Sequence, residues 1–161
     1  MATAPKKAVA RKAPAPKEAT AMLRADHKAV SELFAAYDKA RSLEKKKDLV
    51  AQICKELSVH AQVEEEIFYP AVQLAMKDHE LVPEAIVEQA TMKDLIAQVE
   101  GLEPDGEMFD AKVKVMSEYV KHHVKEEHTE MFPKAKATKL DMVELGARMA
   151  ARKLELMAAR G

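Results

Sequence analysis

A pattern of one histidine, one glutamate and one proline occurs twice in the sequence, and its residue types could bind metal ions. The pattern is His-x-x-x-Glu-x-x-x-x-x-Pro, and its copies are His60, Glu64 and Pro70, and then His123, Glu127 and Pro133. Positions four apart share one face of a helix, so each copy would present an imidazole and a carboxylate together. This combination suits iron, manganese or zinc. Two copies on alternate helices predict a pseudo-symmetric site in which carboxylates bridge two metals.

A third histidine, His27, lies within the apolar stripe formed by Leu23, Val30 and Phe34. Together with the two His and Glu pairs, it makes five ionisable side chains on faces that we predict to be buried. Burial of so many ionisable groups is costly unless they are paired or bound to a cation. The five groups are therefore expected to converge on metal.

The helices that must position these side chains are predicted from apolar periodicity, few glycines and abundant Ala, Lys and Glu. Thr20 is the expected N-cap of the first helix, and Pro70 is expected to bend or end the second. Asp141 with Glu144 should open a fifth helix. We expect helices at about 20–41, 44–69, 82–101, 107–132 and from 141 onward. The fold class is all-α, an up-down-up-down four-helix bundle with an additional C-terminal helix that packs outside it or meets a partner.

Charge divides the chain into unlike parts. Residues 1–17 carry five basic residues and no acidic one, whereas the remainder holds 21 basic and 27 acidic residues. We expect residues 1–19 to be a disordered Ala/Lys/Pro tail, 20–134 the metal-binding bundle, and 135–161 an amphipathic helix. The tail would act as a solubilising segment or make weak, salt-sensitive contact with nucleic acid or another anionic surface.

Three runs of sequence resemble the hemerythrin-like HHE cation-binding domain: Leu23 to His27, Val59 to Pro70, and His122 to Pro133. The resemblance covers about residues 20–134. It implies a four-helix bundle with a non-haem di-iron centre that binds or senses O2, or handles iron, peroxide or nitric oxide. It also implies roles for the five candidate ligands: His27 and His60 on one iron, His123 on the other, and Glu64 and Glu127 as bridges.

The third helix departs from the family pattern. Members of this family usually place a histidine there, within a Glu-His pair, whereas this chain has Glu88 followed by Gln89. The second iron would then have His123, the bridging carboxylates and the Gln89 amide, which is a weaker ligand than imidazole. We therefore hypothesise an unequal centre, with one firm iron and a second that is weak, exchangeable or absent.

Two other functional interpretations remain open at this stage. One is an enzyme with catalase- or peroxidase-like turnover at the same site. The other is a helical binding module whose metal site is degenerate. The sequence contains no P-loop, dinucleotide glycine motif or zinc-type cysteine cluster, which argues against those classes.

The remaining candidate residues are expected to be structural. His122 should lie on the rim of the bundle, and His79 and His128 should be exposed. Cys54 should be a small core residue rather than a redox sensor. A single cysteine and the lack of a signal-like apolar run favour the cytoplasm, and no apolar stretch is long enough to span a membrane.

Overall fold

The computed structural model describes residues 17–160, and this part of the chain is helical with no strands. The five helices are α1, Ala19–Lys39; α2, Leu43–Val63; α3, Leu81–Val99; α4, Glu107–Glu126; and α5, Met142–Arg160. The first four form the predicted bundle, in which α1 packs on α2 and α3 packs on α4. The predicted disordered tail lies outside the described residues except for 17–19, and Ala19 already belongs to α1.

Helices α2 and α4 continue beyond their ordinary helical turns. Each enters a five-residue π-helical turn and then a further α-helical segment; the π turns are Glu64–Phe68 and Glu127–Met131, and the segments that follow are Tyr69–Met76 and Phe132–Lys136. The second helix therefore does not end at Pro70, and the expectation that the fourth ends near 132 is wrong. A proline lacks an N–H and crowds the carbonyl four residues earlier. Each π turn ends two positions before a proline, so the break in the regular helical hydrogen bonds lies next to the residue that cannot donate one.

Polar side chains cap the starts of α1, α2 and α5. Thr20 was the expected cap of α1, but Glu18 takes this position, and its Oε1 accepts a hydrogen bond from the Ala21 N–H at 2.5 Å. Thr20 instead lies within the helix, where it is buried and donates to Glu18. The predicted start of α5 is confirmed, because Asp141 Oδ1 accepts from the Glu144 N–H at 3.0 Å.

Apolar side chains form two clusters along the bundle. The α5-side cluster includes Leu23, Val63, Phe68, Phe132 and Met149. The distal cluster includes Val30, Phe34, Ile53, Cys54 and Met116. On each helix of the bundle the buried polar residue lies between a residue of one cluster and a residue of the other, as His27 does between Leu23 and Val30. The polar residues therefore occupy a layer enclosed by apolar packing.

Helix α5 packs on the outside of the bundle, against α1 and α2. Its buried residues, Leu145, Met149 and Leu156, join the α5-side cluster. Among the helices of residues 17–160, none is both long and apolar enough to cross a membrane.

Cys54 should resist alkylation in the folded protein. Its side chain is fully buried in the distal cluster, and burial raises the pKa of the thiol to about 12. Since the thiolate is the reactive form, iodoacetamide at about pH 8 should leave the native protein unmodified. In denaturing urea the same reagent should react quickly, and mass spectrometry reports both results. Rapid labelling of the native protein would contradict this burial.

Replacement of Gly146 by alanine should loosen the contact between α5 and the start of α1. A Cβ at this position would meet the Lys17 carbonyl oxygen and would lie 2.9 Å from the Ala19 nitrogen, and both are backbone atoms. Overpacking against backbone typically costs about 1–3 kcal/mol of unfolding free energy. Urea denaturation of Gly146→Ala measures the loss. The exposed neighbour change Ala147→Ser is the matched control and should cost less than about 0.5 kcal/mol.

Candidate metal centre

Four of the five candidate ligands converge in the polar layer of the bundle. His27 comes from α1, His60 from α2, and Glu64 and Glu127 are the first residues of the two π turns. One ligand atom from each lies within 4.8 Å of the others, and all four side chains are buried. Within this group, His27 Nε2 lies 3.1 Å from His60 Nε2. These four residues form a cluster that could hold a metal ion.

The two sequence motifs make equivalent pairs. His60 Nε2 lies 2.6 Å from Glu64 Oε1, and His123 Nε2 lies 2.6 Å from Glu127 Oε1. His27 joins the halves, since its Nε2 is 3.6 Å from Glu127 Oε2. The predicted pseudo-symmetry is thus visible in the side chains.

The half of the centre around His123 is built differently. His123 contacts Glu127 but lies outside the group of four converging residues. The hydroxyl of Tyr69 donates to Glu127 Oε1 at 2.8 Å and lies 3.3 Å from His123 Nε2. The amide nitrogen of Gln89 donates to Glu64 Oε1 at 3.2 Å and to the Tyr69 hydroxyl at 3.1 Å. Tyr69 and Gln89 therefore fill part of this half with hydrogen bonds.

Several buried polar atoms in the centre have no hydrogen-bond partner among residues 17–160. They are Glu64 Oε2, Glu127 Oε2, Gln89 Oε1 and His123 Nδ1. Buried polar atoms left unsatisfied destabilise a fold, so native proteins rarely keep a group of them together. Carboxylate oxygen and imidazole nitrogen are the atom types that transition metals bind. The residues present therefore fit a cation in this layer.

The pKa of His27 leaves its imidazole in the neutral form, which is the form that binds a metal. Burial and the neighbouring His60 lower the pKa of His27 to about 3, so its imidazole is neutral. For His60 burial alone would lower the pKa, but the charges of Glu64 and Asp26 raise it well above the usual value. Burial and the charge of Glu127 raise the pKa of Glu64 to about 7. Protons bound to His60 and Glu64 therefore offset the negative charge of this layer when no cation is bound.

Asp26 and Lys153 support His60 from behind. Asp26 Oδ2 lies 3.0 Å from His60 Nδ1, and Lys153 of α5 donates to Asp26 Oδ1 at 2.6 Å. Burial would raise the pKa of Asp26, but its bonds to His60 and Lys153 lower it, so the carboxylate is charged. Neither residue is among the site residues predicted from the sequence. Asp26 adjoins His27 in a run that resembles the family, whereas Lys153 lies in a helix outside that run and carries no sequence signal.

His128 does not lie in the exposed position that we predicted. It is half-buried, and its Nε2 lies 2.8 Å from His27 Nδ1. The prediction assumed α-helical periodicity, but His128 is the second residue of a π turn, where the rotation per residue is smaller. His79 is exposed and His122 lies on the rim, both as expected.

Comparison with known proteins agrees with this architecture. A family model for the hemerythrin HHE cation binding domain matches residues 18–135. A DNA nickase from Nostoc sp. is 31% identical over 111 residues, which are 69% of this chain but only 31% of the nickase. The chain thus spans about a third of that protein's length.

A solved structure shares the fold. It is a hemerythrin HHE cation binding domain-containing protein from Mycobacterium kansasii, with a TM-score of 0.75, 22% identity and 89% of each chain covered. The fold, the buried His and Glu cluster and the family match over most of the sequence lead to one conclusion. The chain belongs to the hemerythrin HHE cation-binding domain family.

Proposed function

We propose that this protein binds non-haem iron in the buried centre and uses it to bind or sense O2, or to handle peroxide or nitric oxide. The convergence of His27, His60, Glu64 and Glu127 within 4.8 Å supports this proposal most directly. Two imidazoles and two carboxylates suit iron better than they suit metals that prefer sulfur ligands. Such centres often lie in the core of a helical bundle.

The four converging residues would hold the firm iron. His27 is neutral and needs to lose no proton before it coordinates. His60 is held in orientation through its Nδ1, which faces the Asp26 carboxylate, so its Nε2 points into the centre. Bound iron would supply one-electron redox chemistry and a coordination position open to a small ligand.

The second iron would bind more weakly because the side chains on its side already make hydrogen bonds with one another. Gln89 turns its amide nitrogen toward Glu64 and Tyr69, and this nitrogen cannot coordinate a cation. Its oxygen is the unpartnered atom, but a neutral amide oxygen binds iron less well than imidazole. His123 and Glu127 are then the strong ligands that remain on this side. The arrangement supports the unequal centre that the sequence predicts.

The side chains around the centre limit the access of water and keep the Tyr69 hydroxyl protonated. Apolar clusters on both sides limit access of water, since Leu23, Phe68 and Phe132 are fully buried. Burial and the charge of Glu64 raise the pKa of Tyr69 well above its usual value, so the hydroxyl stays protonated. Tyr69 therefore remains a hydrogen-bond donor beside Glu127 and could hold a proton for a small ligand bound there.

Peroxide turnover at the same centre is the second candidate function, and the position of Tyr69 favours it. A protonated phenol 3.3 Å from His123 Nε2 is placed to donate a hydrogen bond to an oxygen of a bound peroxide. Oxygen evolution from hydrogen peroxide by the iron-loaded protein distinguishes this enzyme from a sensor.

The expected contact of the basic tail with nucleic acid stays a prediction, although one relative is named a DNA nickase.

Iron titration tests the unequal centre. We expect anaerobic Fe2+ titration to show one tight equivalent per chain and a second that is at least about tenfold weaker, a gap of about 1.4 kcal/mol. Gln89→His should narrow that gap because imidazole replaces the amide. The control is Gln98→His, an exposed change on the same helix. Two equally tight equivalents in the unmodified protein would overturn the proposal of inequality.

Loss of the Lys153 contact should weaken iron binding more than it weakens the fold. Lys153→Met keeps the apolar stem and removes only the charged bond to Asp26. Outer groups that orient metal ligands typically contribute about tenfold or more in affinity. We expect such a loss in competition with a coloured Fe2+ chelator, and a smaller loss of unfolding free energy in urea denaturation, because Asp26 keeps its contact with His60. An unchanged affinity would mean that α5 does not support the centre, and Arg148→Met, an exposed change on α5, is the control.

A further inference from the structure

A second group of metal-binding side chains lies at the outer surface where α3 packs on α4. It consists of Glu88 from α3 with His122 and Glu126 from α4, and their ligand atoms lie within 4.8 Å of one another. His122 Nε2 is 3.0 Å from Glu126 Oε1. The side chains are 16%, 64% and 38% exposed for Glu88, His122 and Glu126. This outer cluster has the same ligand types as the buried centre but is open to solvent.

Acidic groups at a surface often cluster without any cation, so the outer cluster alone would be weak support. The buried ring of His123 provides an independent observation. His123 is only 4% exposed, and its Nδ1 has no partner among the described residues although it lies 3.7 Å from Glu88 Oε2. Glu88 Oε2 is also buried and lacks a hydrogen bond there. An unpaired nitrogen and an unpaired carboxylate oxygen thus face each other at the inner edge of the cluster.

The same ring separates the outer cluster from the buried centre. His123 turns Nε2 toward Glu127 and Nδ1 toward Glu88, so its two nitrogens face the two sites. A narrow cavity of about 10 Å³ is lined by residues of both sites: Glu88 and Glu126 of the outer cluster, and His123 and Glu127 of the buried centre. On the solvent side a cavity of about 510 Å³ opens onto His122 and Glu126.

We propose that Glu88, His122 and Glu126 form an outer site for a divalent transition-metal cation, through which iron is loaded into the buried centre. The loading role rests on the proposed iron function, whereas the outer site itself does not. Three protein ligands on a half-exposed surface leave several positions to water, so the outer site should bind weakly and exchange quickly. Its two carboxylates raise the local concentration of cations at the mouth of the narrow cavity.

The geometry gives the loading route a direction. A cation at the outer cluster is next to His123 Nδ1, and the ligands directly beyond that ring are His123 Nε2 and Glu127. These belong to the weaker half of the centre, so an ion that arrives there can pass on to the four converging residues. Binding strength then increases from the surface to the core, as a loading route requires.

The test compares the unmodified protein with the double variant His122→Gln, Glu126→Gln. Neither residue belongs to the buried centre, so the variant should fill that centre to the same final iron content. We expect the rate of Fe2+ uptake, followed anaerobically by stopped-flow chelator competition, to fall about tenfold or more. Titration with Zn2+ should lose one weak equivalent. Glu118→Gln, Glu130→Gln is the matched control, since both residues are exposed neighbours on α4 and its π turn.

Each outcome separates the outer site from the proposed function. Unchanged uptake together with an unchanged number of Zn2+ equivalents overturns the outer site. Loss of the weak Zn2+ equivalent with unchanged uptake confirms a cation site and overturns its loading role. If the unmodified protein retains no iron in its centre but the variant still loses the weak Zn2+ equivalent, the iron function fails and the outer site stands.

Discussion

The burial of five ionisable side chains between two apolar clusters is the constraint on which the other features of this bundle depend. His60, Glu64, His123 and Glu127 are each at most 5% exposed, and His27 is 8% exposed. Without a cation, protons and mutual hydrogen bonds must offset the cost of removing these groups from water. The compensation is incomplete, because carboxylate oxygens of Glu64 and Glu127 have no partner within residues 17–160. Such a layer costs stability and leaves carboxylate oxygens available to a cation.

The π turns connect the helix geometry to this layer. Both begin at a motif glutamate, and both are followed at once by an aromatic residue and then by proline. The wide turn lets the helix pass the proline, so Tyr69 and Phe132 reach the core beside the ligands. A π turn is less favourable than an α turn and is often found at functional sites. Here it places Tyr69 against Glu127 and His128 against His27.

The sequence predicts the bundle and the ligand pairs because both depend on local periodicity. A spacing of four residues fixes His60 beside Glu64 wherever α2 packs, and the apolar stripes determine which way it faces. The contacts that could not be predicted join distant segments. Lys153 reaches Asp26 only because α5 packs across α1 and α2, and no local pattern specifies that packing. Glu88 and His122 likewise meet only when α3 and α4 are in register. His128 shows the limit of periodicity itself, since an α-helical count fails within a π turn.

Gln89 gives the proposed inequality of the two halves a physical cause. Gln89 is neutral and fully buried, so it adds no charge to the layer. Its amide nitrogen donates hydrogen bonds to Glu64 and Tyr69. An imidazole there would add a strong ligand to the half that contains His123, and the two halves would bind with similar strength. With the amide, His123 keeps one nitrogen for Glu127 and leaves the other free toward Glu88. The half that we propose to be weak therefore lies between the four converging residues and the outer cluster. A weak intermediate position exchanges ions faster than a strong one, so under this proposal Gln89 both limits the second site and favours passage through it.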